Sequence, residues 1–319
     1  MARNSWDDSP IAAAARRAAK VKSNNTAALP RPERTRRITI ANQKGGVGKT
    51  TSAVNIASAL AHSGLKVLVV DTDPQGNAST ALDVEHLSGT LSTYEILLGE
   101  ASPEEAMQQC PESENLWCIP ATLDLAGSEI ELVNLFNRES RLRQALTDSF
   151  LQEHEFDYLI IDCPPSLGLL TLNAMTVSDE VLIPIQCEFY ALEGVTQLLR
   201  NIGMIRQHLN PDLHVSAVLL TMYDGRTKLA DEVAREVRNH FGDAVLRNII
   251  PRSVKVSEAP GYGKTIISYD PGSRGALAYL DAAKELAERG DYLPDGTRGP
   301  IGTSGRVAEE DGDEREDGR

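Results

Sequence analysis

Cysteine is scarce in this chain. Four occur in 319 residues, Cys110, Cys118, Cys163 and Cys187, and no two share a CxxC spacing. That pattern excludes the close-set thiolates of zinc ribbons and ferredoxin-type clusters, and without a secretory context the four read as reduced core thiols of a cytoplasmic protein. Long hydrophobic runs are missing too: no apolar stretch approaches the ~18–20 residues a membrane span requires. The N-terminus lacks the unbroken apolar region of a secretory signal, because Asp7, Asp8, Arg16 and Arg17 interrupt it. Net positive charge is absent, the balance being −14. It is unevenly spread: residues 1–37 hold nine Arg/Lys against three acids, residues 291–319 four Arg against nine acids. The central region is therefore acidic, which excludes whole-surface affinity for nucleic acid and leaves only a local basic patch or the N-terminal arm.

Residues 1–36 mix Ala, Arg, Ser, Asn and Pro and read as a flexible basic arm, with a short helix near 10–21; residues 291–319 carry no hydrophobic stripe and read as an acidic disordered tail. Between them, apolar runs at 37–41, 66–71, 116–119, 158–162, 181–185, 214–221 and 245–250 predict strands. Helical spacing predicts helices at 50–62, 92–98, 103–109, 128–136, 138–152, 166–176, 191–208, 228–241 and 274–289. Runs such as 67–70, 159–161 and 181–183 are apolar throughout, not alternating, so both faces of the sheet are covered, as in a mainly parallel sheet. No internal repeat interrupts this single domain of 37–290.

The segment KGGVGKTT at 44–51 follows the first predicted strand and opens the first helix. Small residues there let backbone N–H groups converge on a polyphosphate at a helix N-terminus. Lys49 supplies a point charge for the β/γ-phosphates, and the Thr50 hydroxyl suits Mg²⁺. The α/β pattern and this loop together predict a single-domain P-loop NTPase fold, a mainly parallel twisted sheet with helices on both faces and disordered tails. The loop is unusual in having Gln43 where the standard pattern has glycine, followed by a second lysine, Lys44. Two cations side by side repel unless extra phosphate charge arrives.

Two further strand ends carry acids. Asp71 and Asp73, at i and i+2, are expected to face the loop, one organising the metal shell and the other holding the attacking water; Asp73 is assigned to the water. An Asp-Pro turn without chemistry is the alternative. The run YLIIDCPP at 158–165 ends a buried strand in Asp162, the pattern of a Walker B carboxylate acting through the Mg²⁺ shell.

Taken in order, KGGVGKTT, DTDPQGN, IIDCPPSLGLL, IPIQCEFYALEG and IPRSVKVSEAPGYGKTI resemble the ParA/Soj chromosome-partitioning ATPases of the deviant Walker A class, over residues 37–289. The resemblance implies ATP and Mg²⁺ as cofactors and a homodimer that sandwiches two ATP molecules. Lys44 then reaches the partner's phosphates, and Gly45 allows close approach at the seam. Gly45, Gly46, Val47, Gly48, Lys49, Thr50 and Thr51 hold the nucleotide, Asp73 positions the water, and Thr50 and Asp162 serve the metal. Pro251 and Ser253 fall on the adenine side, where relatives commonly carry Asn at the latter position. The ATP-bound dimer is expected to bind nonspecific double-stranded DNA through Arg226, Arg252 and Lys255, with Lys228 contributing. A lone Arg or Lys is ordinarily a solvated surface charge; the motif context is what assigns these. The implied partner is a ParB-type centromere-binding protein that stimulates slow hydrolysis; the basic arm is read separately, as an addition to DNA affinity or a dock for a polar scaffold protein. The implied location is cytoplasmic and nucleoid-associated.

Three rivals share parts of this pattern. A MinD-like division-site ATPase needs a basic amphipathic C-terminal helix, whereas this chain ends in EEDGDEREDGR, which anionic lipid repels. An iron–sulfur electron-transfer ATPase needs symmetric seam cysteines, and Cys163 has no evident second thiol. A nonhydrolysing nucleotide-binding scaffold would not need Lys49, Thr50, Asp73 and Asp162 together.

Overall fold

The computed structural model describes residues 29–189 and 191–290. The acidic tail, the first 28 residues of the basic arm and the helix expected near 10–21 lie outside the described residues.

Among the described residues, seven strands form one sheet in the order β3-β4-β2-β5-β1-β6-β7. They are β1 Arg36–Ile40, β2 Val67–Asp71, β3 Gln108–Gln109, β4 Leu116–Ile119, β5 Tyr158–Asp162, β6 Glu180–Gln186 and β7 His214–Thr221. Only β3, a two-residue edge strand, runs antiparallel. Alternating residues serve opposite faces. On β2, Val67 and Val69 join a core with the Lys49–His62 and Arg274–Arg289 helices, while Leu68 and Val70 join another with Leu97, Leu125, Leu142 and Phe150. Beyond β1 the second face is built by β6, β7 and the helices Glu193–His208 and Lys228–Phe241. Burial on both faces is why these strands read as continuous apolar runs.

The crossovers place the functional end. From β1 the chain passes through the Lys49–His62 helix to β2 on one side, whereas β5 leads to β6 on the other side of β1. Connections that diverge in this way leave a crevice beyond the carboxyl ends of the strands. The 44–51 segment lies there.

Several expected elements differ. The 245–250 run is not a strand: Val245 and Pro251 make isolated bridges to Val218 and Tyr223. The N–H groups of Arg247 and Asn248 instead donate to the Glu285 carboxylate, at 2.9 and 3.2 Å, which withdraws them from any ladder. The helix expected over 138–152 is two, Arg141–Ala145 and Asp148–Glu153, because the Thr147 side chain caps the second by accepting from Phe150 N. The helix expected over 103–109 ends at Ala106, and Gln108–Gln109 pair with β4. The helix expected over 128–136 lies earlier, at Leu125–Leu132. The short helix Asn77–Ala81 carries too little periodicity to be anticipated.

Candidate functional site

The phosphate loop is held at both ends by long-range contacts. Asn42, just after β1, donates from Nδ2 to the Pro184 carbonyl at 2.7 Å and accepts from Lys44 N at 3.0 Å. The Thr221 hydroxyl, at the end of β7, donates to the Val47 carbonyl at 2.8 Å. Gly46 and Gly48 have φ of 74° and 89°, so both need glycine for backbone reasons. Gly45 has an ordinary φ, and a Cβ built on it meets no atom of the described residues within 4 Å. Within one protomer nothing demands glycine at 45.

Lys49 begins its helix and turns back, its ammonium donating to the Lys44 carbonyl at 3.2 Å. Burial pushes it below its ordinary value, against the pull of Asp162, Cys163 and Asp73. Lys44 instead points along the surface and ion-pairs with Glu188 Oε1 at 2.6 Å. The two lysines thus diverge, which relieves their repulsion.

Asp71 and Asp162 are register neighbours on β2 and β5, both fully buried. Asp71, expected to help organise the metal shell, has both oxygens engaged by donors of its own protomer. Its Oδ1 accepts from Asp73 N at 3.1 Å, and its Oδ2 from Ser79 N at 2.9 Å and Ser79 Oγ at 2.7 Å. Asp71 is the latch that folds the 71–79 segment. Asp73, in the turn after β2, accepts from Gln75 N at 3.0 Å through Oδ1 and is nearly buried.

Neither Asp162 oxygen has a hydrogen-bond donor among the described residues. Burial and repulsion from Asp71 push its carboxyl well above the ordinary range, while the Thr50 hydroxyl and Lys49 ammonium act to lower it. A buried acid without donors, beside a hydroxyl and at the end of a phosphate loop, is a donor set suited to a hard, oxygen-seeking cation such as Mg²⁺.

Pro251 and Ser253 come together with Gly48, Thr51, Met222 and Tyr279 around a cavity of about 280 Å³. This places the 250–257 segment against the loop, where a base could sit. The same segment also borders an open groove of about 1210 Å³, lined by Arg226, Arg252, Lys255 and Arg274. Arg274 escaped the sequence reading because its motif, PGSRG, suggested only a helix start. Lys228 opens its helix and does not line the groove. Arg226 forms a bidentate pair with Asp224, at 2.9 and 2.7 Å, and Lys255 pairs with Asp270.

All four cysteines are buried and free, and burial raises each thiol. No helix among the described residues is long and apolar enough to cross a membrane.

A glycine loop between β1 and a helix, a buried acid at the end of β5 and a doubly covered parallel sheet define a P-loop nucleotide-binding protein. Residues 35–215 match the family model described as an AAA domain. The chain is 53% identical to the sporulation initiation inhibitor protein Soj of Bacillus subtilis, over 79% of this chain and 98% of that protein. It is 50% identical to the chromosome partitioning protein ParA of Myxococcus xanthus, over 79% and 88% of the two chains. Among solved structures, cobyrinic acid a,c-diamide synthase of Mycobacterium smegmatis with a bound ATP analog and magnesium matches at a TM-score of 0.69 and 38% identity, over 83% and 98% of the two chains. The cell division ATPase MinD of Pyrococcus furiosus matches at 0.64 and 29%, over 79% and 98%. The chain belongs to the ParA/Soj family.

Proposed function

We propose that this protein is a chromosome-partitioning ATPase that dimerises around ATP, binds nonspecific DNA as a dimer, and is released when a ParB-type partner stimulates hydrolysis. The observation that carries the reading is Asp162, a buried carboxylate without donors, set against Thr50 and Lys49. Relatives named as partitioning proteins support the process, and a related structure with an ATP analog and magnesium supports the ligands.

In this reading the amides of residues 45–51 and the Lys49 ammonium hold the phosphates. Magnesium, held through Thr50 and Asp162, supplies charge that offsets the negative oxygens of the bound phosphates. Asp73 holds the attacking water and orients its lone pair. Pro251 and Ser253 border the base, and Lys44 reaches the partner's nucleotide. Lys44 is the charge finger available to the site, and its placement depends on the partner, so hydrolysis without stimulation is slow. Pairing two protomers doubles the basic groove of Arg226, Arg252 and Lys255, which makes DNA affinity cooperative and steeply salt-dependent despite the acidic core. The protein is placed in the cytoplasm, on the nucleoid, and the basic arm is a candidate contact for DNA or for a polar scaffold protein.

Phosphate release from Mg–ATP, measured with and without duplex DNA and a ParB-type protein, tests this. Slow turnover that rises when both are added supports it. No ATP hydrolysis under any of these conditions overturns it.

A further inference from the structure

The ion pair between Lys44 and Glu188 joins two residues separated by 144 positions. It is also braced: the second Glu188 oxygen accepts from Gln186 Nε2 at 2.8 Å, and Lys44 N is fixed on Asn42. Gln186 is the last residue of β6, so the brace starts from a rigid strand. The pair is half-exposed, with side chains 36% and 43% accessible, and other groups can compete for the ammonium.

We propose that Glu188 is a positioning residue that holds Lys44 on its own protomer and so sets the ATP concentration at which two protomers join. This rests on the reading of Lys44 as a partner-reaching lysine. A lysine cannot serve Glu188 and a partner's phosphate at full strength together. Each dimer exchanges two such pairs for two phosphate contacts. A half-exposed pair contributes little, but the cost is incurred twice in the dimerisation constant, about 2- to 30-fold in total. A phosphate tail carries several negative charges against one on Glu188, so ATP wins the exchange once the partner's site is loaded. Glu188 thereby discourages assembly without a nucleotide-loaded partner.

The test uses full-length protein carrying Asp73→Ala to slow hydrolysis, with ATP–Mg²⁺, and compares dimerisation constants by sedimentation equilibrium. Glu188→Gln should tighten the dimer about 2- to 30-fold, while Glu188→Asp, which keeps the charge, should lie closer to the parent. ATP affinity, measured on protein dilute enough to stay monomeric, should not change. An unchanged or weaker dimer, or a matching rise in monomer ATP affinity, overturns the role of Glu188. Lys44→Ala separates the two levels of the argument. If that variant still dimerises with ATP, the reading of Lys44 itself has failed. If it stays monomeric while Glu188→Gln has no effect, only the present inference has failed.

Discussion

Asp71 and Asp162 stand side by side on neighbouring parallel strands, equally buried, yet only Asp71 has donors for its oxygens. One acid stabilises a loop. The other bears a burial penalty that a cation can relieve.

That difference has a pH consequence. Burial raises the Asp162 carboxyl in the fold. A raised carboxyl contributes stability that is full below its ordinary value near ~4 and is lost as pH rises through the folded value. Nucleotide-free protein without magnesium should therefore lose stability as pH rises above the ordinary carboxylate range. Asp162→Asn should flatten that slope and add roughly 1–3 kcal/mol at neutral pH, while losing the magnesium-dependent part of ATP affinity. Urea unfolding across pH, paired with ATP titrations, checks both halves.

Gly45→Val should fold and bind ATP within about twofold of the parent, since a side chain at 45 meets open space in the protomer. It should not dimerise. The same change at Gly48, where φ is 89°, should instead damage the loop itself. Nucleotide titration and solution mass separate the two.

Asn42→Ala removes both polar contacts that fix the start of the loop. It should lower ATP affinity by about 1–3 kcal/mol, with little change in the far-ultraviolet spectrum. Equilibrium binding of a fluorescent ATP analogue measures this.

Arg226→Glu should abolish ATP-dependent retention on nonspecific duplex while leaving dimerisation intact. In the milder Arg226→Gln variant the salt slope should fall by about two, one phosphate contact per protomer. Asp270→Asn should strengthen retention modestly, since it frees Lys255 from its pair. Loss of dimerisation with Arg226→Glu would instead place that residue at the seam.

The sheet was largely legible because β2 and β5 are buried on both faces and are apolar up to the aspartate that ends each. The 245–250 run shows where that signal misleads: its four aliphatic residues flank Arg247 and Asn248, whose amides belong to Glu285. The loop residues and Asp162 were readable from short motifs. Their supports were not. Asn42 to Pro184 spans 142 positions, Thr221 to Val47 spans 174, and Lys44 to Glu188 spans 144, and no local pattern encodes a contact across such distances. Asp71 and Asp73 look equivalent in sequence; only Ser79, brought back by the Asn77–Ala81 helix, tells them apart.

The central claim is that Lys44 reports bound ATP to a second protomer. Its most direct test is solution mass with and without ATP–Mg²⁺, in an Asp73→Ala background and with Lys44 intact or changed to Ala. The account predicts a 34.6 kDa protomer that doubles in mass only when ATP–Mg²⁺ and Lys44 are both present. A Lys44→Ala protein that doubles with ATP–Mg²⁺ contradicts it.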